Sequence, residues 1–399
     1  MPRDVNAYLT SQQAKSSSEL AQEWAEFEDL YNKRLWHQIT LKLLKFVKSP
    51  HMQKDDAILQ LYENFIAEFE NKINPLSFVE IVACIVDHIS DVPARLQFVE
   101  KTKEKVKGST EAVILCNVIY GQQKLKNKDC EDVKKIIEET ETLMDTLDGV
   151  TQVHGRYYQL CSDYHQVMGN HAGYYREALR FLGCTQLSQI PSEEQKSRAF
   201  TLCLAALLGD GVYNFGELLA HPILHSLKNT TDEWVVDLLY AFNSGSLSKY
   251  KALDVNWKQQ ADLSAKSWAL QEKICLLCLM EMTFRRPGNQ RVLTFEEIAR
   301  ETQLPLNEVE LLVMKALSLG LVRGTIDQVD SKVHMTWVQP RVLDKEQVHD
   351  INELYGNEHT QNGISFQIAS MKNRLEAWNK DISSTEQLLE NKAQEIISF

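Results

Sequence analysis

Cys275 and Cys278, in the run Cys-Leu-Leu-Cys, have the two-residue gap of a redox or zinc pair. Zinc takes four ligands, and a reactive dithiol sits at an exposed helix start that lowers a thiol pKa. This pair lies inside a strongly apolar run with no second pair, so the reading is core thiols. His221 and His225, in His-Pro-Ile-Leu-His, stand four apart as on a zinc-binding helix. Pro222 suits the first helical position, however, and puts His221 at the cap rather than on the helix face. No glutamate intervenes as in H-E-x-x-H, and no His-x-His pair occurs anywhere. Gly211 and Gly216 have the spacing of a phosphate loop, but Glu217-Leu218 stands where Lys-Ser/Thr must reach phosphate and magnesium. Asn214 takes the third glycine position of a dinucleotide fingerprint, and a helical pattern rather than a strand precedes it. No G-x-S-x-G elbow is present. The expectation is a chain with no catalytic, cofactor-binding or metal residues.

The elements available to position any site are mostly helices. Gly 16 and Pro 9 in 399 residues is about half the roughly 12% that average usage would give. A chain poor in both has few turns, which argues against many-stranded β folds. The formal net charge is −12, so general electrostatic attraction to nucleic acid or anionic membrane is missing. The other six cysteines, Cys84, Cys116, Cys130, Cys161, Cys184 and Cys203, are scattered, as free thiols of a reducing compartment would be. Met1–Leu20 is polar without an apolar h-region, and no secretory signal is expected. The apolar stretches near Phe78–Ile89 and Ile274–Phe284 carry charges and fall short of the ~18 residues of a membrane span. These features predict a soluble, intracellular protein.

From Trp24 to about Leu263 one amphipathic helix follows another. Asn74 and Pro75 form a start signal ahead of the stripe Phe78, Ile81, Val82 and Ile85. The segment Arg156–Leu182 reads as a helical hairpin, with Tyr157, Leu160 and Tyr164 facing Tyr174, Tyr175, Ala178 and Leu182 across Gly169-Asn170-His171. It is similar to a degenerate tetratricopeptide unit, although no strict 34-residue repeat is visible and an irregular helical bundle stays open. A stacked-helix solenoid would offer a concave surface to a partner.

After Trp268 the pattern changes. Leu270–Phe284 is a helix, Val292-Leu293 a short β-prone piece, and Thr294 with Glu297 a capping box. Asn307 with Glu310 repeats the signature before the stripe Val309, Leu312, Val313, Ala316 and Leu317, and Gly320 stands at a left-handed C-cap position. Two β-prone runs follow, Leu321–Asp327 and Lys332–Gln339. In the second, Val333, Met335 and Trp337 alternate with His334, Thr336 and Val338. This order is that of a winged helix. A DNA-binding winged helix would lay Asn307–Leu319 in the major groove, yet that helix offers Glu308, Glu310 and only Lys315. Lys101, Lys103, Lys105 and Lys107 alternate with acids Glu100 and Glu104 and read as a solvated helix face. No nucleic-acid partner is expected.

Beyond a Gly/Asn/His-rich loop at 355–363, an apolar ladder runs Ile368, Met371, Leu375, Trp378, Ile382, Leu389 and Ile396 in steps of three and four, with Thr385 and Lys392 as its polar gaps. Such a helix packs into a coiled coil or bundle, on its own protein or on another chain. The division expected is a flexible leader at 1–23, helical repeats at 24–169, a module at 170–343 with its helical part at 170–267 and winged helix at 268–343, and a loop plus bundle helix at 344–399.

Stacked helices leading into a neutral winged helix and a long terminal helix resemble the PCI domain, shared by the proteasome lid, the signalosome and a translation initiation complex. The closer resemblance lies in EAVILC (Glu111–Cys116), NHAGYYREALRFLGC (Asn170–Cys184), the run from Ala199 through NFGELLAHPIL to Leu224, LYAFNSG (Leu239–Gly245), LLCLMEMTF (Leu276–Phe284), LTFEEIA (Leu293–Ala299), NEVELLVMKALSLG (Asn307–Gly320) and HMTWVQPRVL (His334–Leu343). On these the chain is identified as a member of the PCI-domain lid subunits of the 26S proteasome regulatory particle. The resemblance implies a mostly α fold: an N-terminal TPR-like solenoid, a PCI winged-helix module with a small β-hairpin, and a long C-terminal helix. It implies a non-catalytic scaffold of ubiquitin-dependent proteolysis in cytoplasm and nucleus. The implied partners are other PCI and lid subunits and a ubiquitin-receptor subunit, in a hetero-oligomer without nucleic acid or membrane. The Lys332–Gln339 strand, with Val333, Met335 and Trp337, is then a candidate sheet edge for another chain, and Ile368–Ile396 the bundle helix. The alternatives are a scaffold of another PCI complex, a winged-helix nucleic-acid binder and a metal-dependent hydrolase.

Overall fold

The structure is a computed structural model that describes residues 5–15, 18–49, 57–286 and 290–340. They divide into two compact units, one ending at Asp210 and one beginning at Gly211. The 355–363 loop and the 368–396 ladder lie outside the described residues.

The first unit is a succession of antiparallel helices. It includes α1 (Pro75–Val86), α2 (Thr110–Lys126), α3 (Cys130–Met144), α4 (Gln152–Val167), α5 (His171–Cys184) and α6 (Ser192–Leu208). Starts are fixed by side chains that accept otherwise unpaired N–H groups. Asn74 Oδ1 accepts from Leu76 N at 2.9 Å, with Pro75 at the first helical position as expected. Asp91 caps the helix Val92–Lys105 through Ala94 N. Neighbours in sequence pack on each other, which favours the stacked-helix reading. A continuous core runs from Trp24 and Phe27 through Phe46, Phe65 and Phe69 to Leu160 and Cys161. One helix in this core widens into a π-helical turn at Tyr62–Ile66.

The α4–α5 hairpin is the expected one. Tyr157, Leu160, Tyr174, Tyr175, Ala178 and Leu182 are buried, Gly169 takes φ +70° at the turn, and Asn170 Oδ1 accepts from Gly173 N at 3.0 Å. The pairing is close enough that a Cβ on Gly173 would lie 2.7 Å from His165 Nδ1. Glu177 is buried there between Arg176 and Arg180.

One expectation fails at the N-terminus. The stretch taken for a flexible leader contains the helix Val5–Lys15, with Val5 and Leu9 buried, and Tyr8 edge-on to Trp24 at 6.1 Å. Two apolar anchors four residues apart hold it, too few to stand out as a periodic pattern.

In the second unit, α7 (Ser267–Phe284) is buried on nearly every side from Leu270 to Met280. Around it stand β1 (Val292–Thr294), α8 (Phe295–Thr302), α9 (Leu306–Ser318), β2 (Val322–Asp327) and β3 (Lys332–Val338). Thr294 and Glu297 form the expected capping box, each side chain taking the other's backbone N–H at 3.2 and 3.1 Å. Gly320, at φ +69°, ends α9 as expected: Leu321 N–H reaches Ala316 O at 3.0 Å and Gly320 N–H reaches Leu317 O at 3.1 Å. The start of α9 differs from expectation. It begins at Leu306 after Pro305, with no side-chain cap, because proline's fixed φ already suits the chain entry. Among the described residues no helix is long and apolar enough to cross a membrane.

A titratable group inside the first unit gives this fold a pH signature. Asp163, on α4, is half-buried, and burial pushes its carboxyl up to about 6 against the opposing pull of Arg198 on α6; Glu194 adds to the rise. A native pKa above the unfolded value means the ionised form is disfavoured in the fold, so stability rises as pH falls through about 6. Replacing Asp163 by asparagine should stabilise the chain at pH 7.5 by roughly 1–2 kcal/mol. That gain should shrink as pH falls below about 6 and vanish only below the unfolded value of 3.8, read by thermal denaturation across the range.

Candidate assembly interface

The sheet runs β1-β3-β2, antiparallel throughout. β3 is therefore its central strand along Lys332–His334, which pair with Thr294–Val292 on one side and Asp327–Thr325 on the other. Met335 N–H extends the first pairing to Arg291 O at 2.8 Å. This corrects the expectation that Lys332–Gln339 is a sheet edge. The three-residue β1, adjacent in sequence to α8, folds in beside β3 and takes the edge position.

The two true edges differ. On β1 the Arg286 guanidinium donates to the Val292 carbonyl and also holds Glu297 at 3.1 Å. Glu297 in turn is held below its ordinary carboxyl range, first by the Thr294 N–H and then by Arg286. That edge is occupied by its own chain. Among the described residues no strand lies on the outer side of β2.

The three strand residues singled out from sequence do not share a face. Val333 and Met335 are buried in the winged-helix core, whereas Trp337 is 36% exposed and Val338 is buried in its place. Register explains the switch. Arg323 faces Trp337, but the next β2 residue, Gly324, faces Met335, so Thr336 is an extra residue on β3. Such a bulge reverses the alternation beyond it. Gly324 is what admits it, since a Cβ there would lie 2.2 Å from the His334 carbonyl oxygen and 3.0 Å from Met335 Cα. The Arg323 guanidinium then lies over the Trp337 ring, 4.8 Å from its centroid. Sequence reading missed Arg323; a glycine inside a strand pattern was the available signal. The remaining candidates, Ile368, Met371, Leu375, Trp378, Ile382, Leu389 and Ile396, lie outside the described residues.

On α9 the expected stripe Val309, Leu312, Val313 and Ala316 is buried. Its opposite face carries Glu308, Leu311 and Met314, with Leu311 60% exposed. The helix's one lysine, Lys315, is ion-paired to Glu272 and sits 5.7 Å from the ring centroid of exposed Trp268. A face of this kind cannot supply the phosphate contacts on which DNA affinity depends.

The residues that suggested chemistry fall in structural roles. Cys275 and Cys278 are buried, and burial raises their thiols to about 11 and about 12. Cys275 Sγ donates to the Thr302 carbonyl at 3.8 Å. His221 is the cap that Pro222 implied: its Nδ1 accepts from Ile223 N at 3.2 Å. Asn214 Oδ1 accepts from Gly216 N at 3.2 Å in the turn that has phosphate-loop glycine spacing. Among the described residues no cluster of three or more His, Cys, Asp or Glu side chains could hold a metal ion.

Residues 23–239 match the family of PSD13 N-terminal repeats, more than half of the chain. The chain belongs to this family. Residues 250–337 match the PCI domain. In the PSD13 family, the 26S proteasome non-ATPase regulatory subunit 13 of Dictyostelium discoideum is 32% identical over 388 residues, covering 95% of each chain. The homolog B of that subunit in Arabidopsis thaliana is 35% identical over 388 residues with the same coverage. The eukaryotic translation initiation factor 3 subunit M of Neosartorya fischeri is 28% identical over only 170 residues, 40% of this chain.

The bulge yields a direct test. Gly324→Ala should force the β2–β3 pairing apart where the His334 carbonyl approaches. The cost should be about 1–3 kcal/mol, read as a lower denaturant midpoint together with faster amide exchange in 322–338.

Proposed function

We propose that this chain is a non-catalytic structural subunit of the 26S proteasome lid that supports ubiquitin-dependent protein degradation through assembly. The observation that carries this reading is the likeness, over nearly its whole length, to subunits named for that particle. The translation-factor relative matches less than half the chain, which favours the proteasome over that other PCI complex. The relatives are named as regulatory subunits, and of the residues that could have served chemistry Cys275 and Cys278 are buried in the core and His221 caps a helical turn. The partners are other PCI and lid subunits and a ubiquitin-receptor subunit, in a hetero-oligomer of cytoplasm and nucleus.

Two elements would make the contacts. One is the outer edge of β2, a six-residue strand whose outward-pointing backbone groups meet no further strand among the described residues and suit strand addition or packing against a neighbouring module. The other is the 368–396 ladder, whose three-four spacing suits a shared helical bundle. Trp378 is the largest side chain on it and the best candidate anchor.

Native purification of the tagged chain, with its companions identified, should recover other lid subunits. Removing 364–399 should leave a folded chain that fails to join the particle. Trp378→Asp should weaken incorporation more than His221→Ala. Normal incorporation of the truncated chain would sink the assigned role of the ladder, and companions drawn from another PCI complex would sink the proteasome reading.

A further inference from the structure

The outer face of the wing carries side chains that neither the core nor strand pairing uses. Register sets Val292, His334 and Thr325 in one row across β1, β3 and β2, with Arg323 opposite Trp337 farther along. All five are exposed. Thr336, the bulged residue, donates its hydroxyl to the Arg323 carbonyl at 3.1 Å and ties the two strands at the bulge. Above them lies the Arg323 guanidinium on the Trp337 ring. Apart from this ring contact, Arg323 makes no side-chain hydrogen bond or ion pair among the described residues.

That pairing is informative in a chain with 55 acidic and 43 basic side chains. The outward positions of β2 and β3 include one carboxylate, Asp327 at the hairpin tip, where it accepts from Asp330 N at 3.0 Å and stands opposite Lys332. A guanidinium held over an indole keeps its N–H donors at the rim of its plane, matched to the two oxygens of a carboxylate. Holding it there beforehand lowers the rotamer entropy lost on binding. Tryptophan and arginine are also the residue types that most often dominate interface energetics. Without the bulge, strand alternation would have buried Trp337 beside Val333 and Met335.

We propose that the Arg323–Trp337 platform docks an acidic segment of a partner protein. An Asp or Glu carboxylate sits on the guanidinium, and a neighbouring apolar side chain lies on the exposed rim of the Trp337 ring. The inference rests on the assembly role above and specifies the chemistry that one of its contacts recognises.

The test uses the full-length tagged chain in its native complex. Arg323→Lys places an amine at the site, and a carbodiimide joins an amine directly to a carboxylate in contact with it. The treated complex should yield a peptide coupled through position 323 to an Asp or Glu of another chain. Arg323→Glu should lower recovery of the chain in its complex by at least about fivefold at about 0.15 M salt. Trp337→Ala should lower it in the same direction, and Thr325→Ala should leave it unchanged. Thermal midpoints should stay near the wild-type value in Arg323→Glu and Thr325→Ala, whose side chains are exposed, while Trp337→Ala, which also loses the covered part of the ring, should still fold with a single cooperative transition. Coupling of position 323 to a carboxylate of its own chain, or to none, overturns the proposal, as does wild-type recovery of Arg323→Glu. Failure of the unaltered chain to co-purify with any lid subunit overturns the assembly reading instead.

Discussion

The second unit is organised by a contact between two backbones. Gly245 follows the helix Trp234–Asn243 at φ +62°, and a Cβ on it would lie 2.7 Å from Cys278 Cα and 2.8 Å from Cys278 N. No other residue could let the preceding helix approach α7 so closely at that dihedral. With that approach made, α7 is enclosed, and its run from Ile274 to Met280 is buried without a polar stripe. Cys275, Cys278 and Leu277 are core residues because this helix has no solvent side there. The winged helix is then built onto α7 through α8, α9 and β3.

The same closeness of backbones recurs at Gly324, with a different result. At Gly245 the missing side chain allows two helical segments to pack; at Gly324 it allows one strand to hold an extra residue. The first closes a core, and the second sends a tryptophan out of one. Both are single glycines in a chain that has few, and both govern how a neighbouring element presents its side chains.

Much of this architecture was legible because its signals are local. Thr294 with Glu297, Asn74 with Pro75, and Gly320 each act on backbone groups within five residues, so the sequence around them contains all the partners. The helical hairpin at Tyr157–Leu182 was legible for a similar reason, two apolar faces separated by one short turn. What escaped depended on partners distant in sequence. β1 is three residues long, and only its pairing some forty residues away makes β3 central. The bulge depends on the His334 carbonyl meeting Gly324, so alternation alone assigned Trp337 to the buried face with Val333 and Met335. At the candidate interface, strand identity was therefore readable, while edge position, the facing of Trp337 and its partnership with Arg323 were not.

The unequal edges of this small sheet give the unit a direction. Arg286 on the Val292 carbonyl closes one flank, and among the described residues no strand lies on the β2 flank. A body with two equal flanks can accept the same neighbour on either side and extend indefinitely. One with a closed flank has an inside and an outside to any row it joins, so its place in that row has a fixed sense. Order among similar subunits can thus begin with one guanidinium capping one carbonyl.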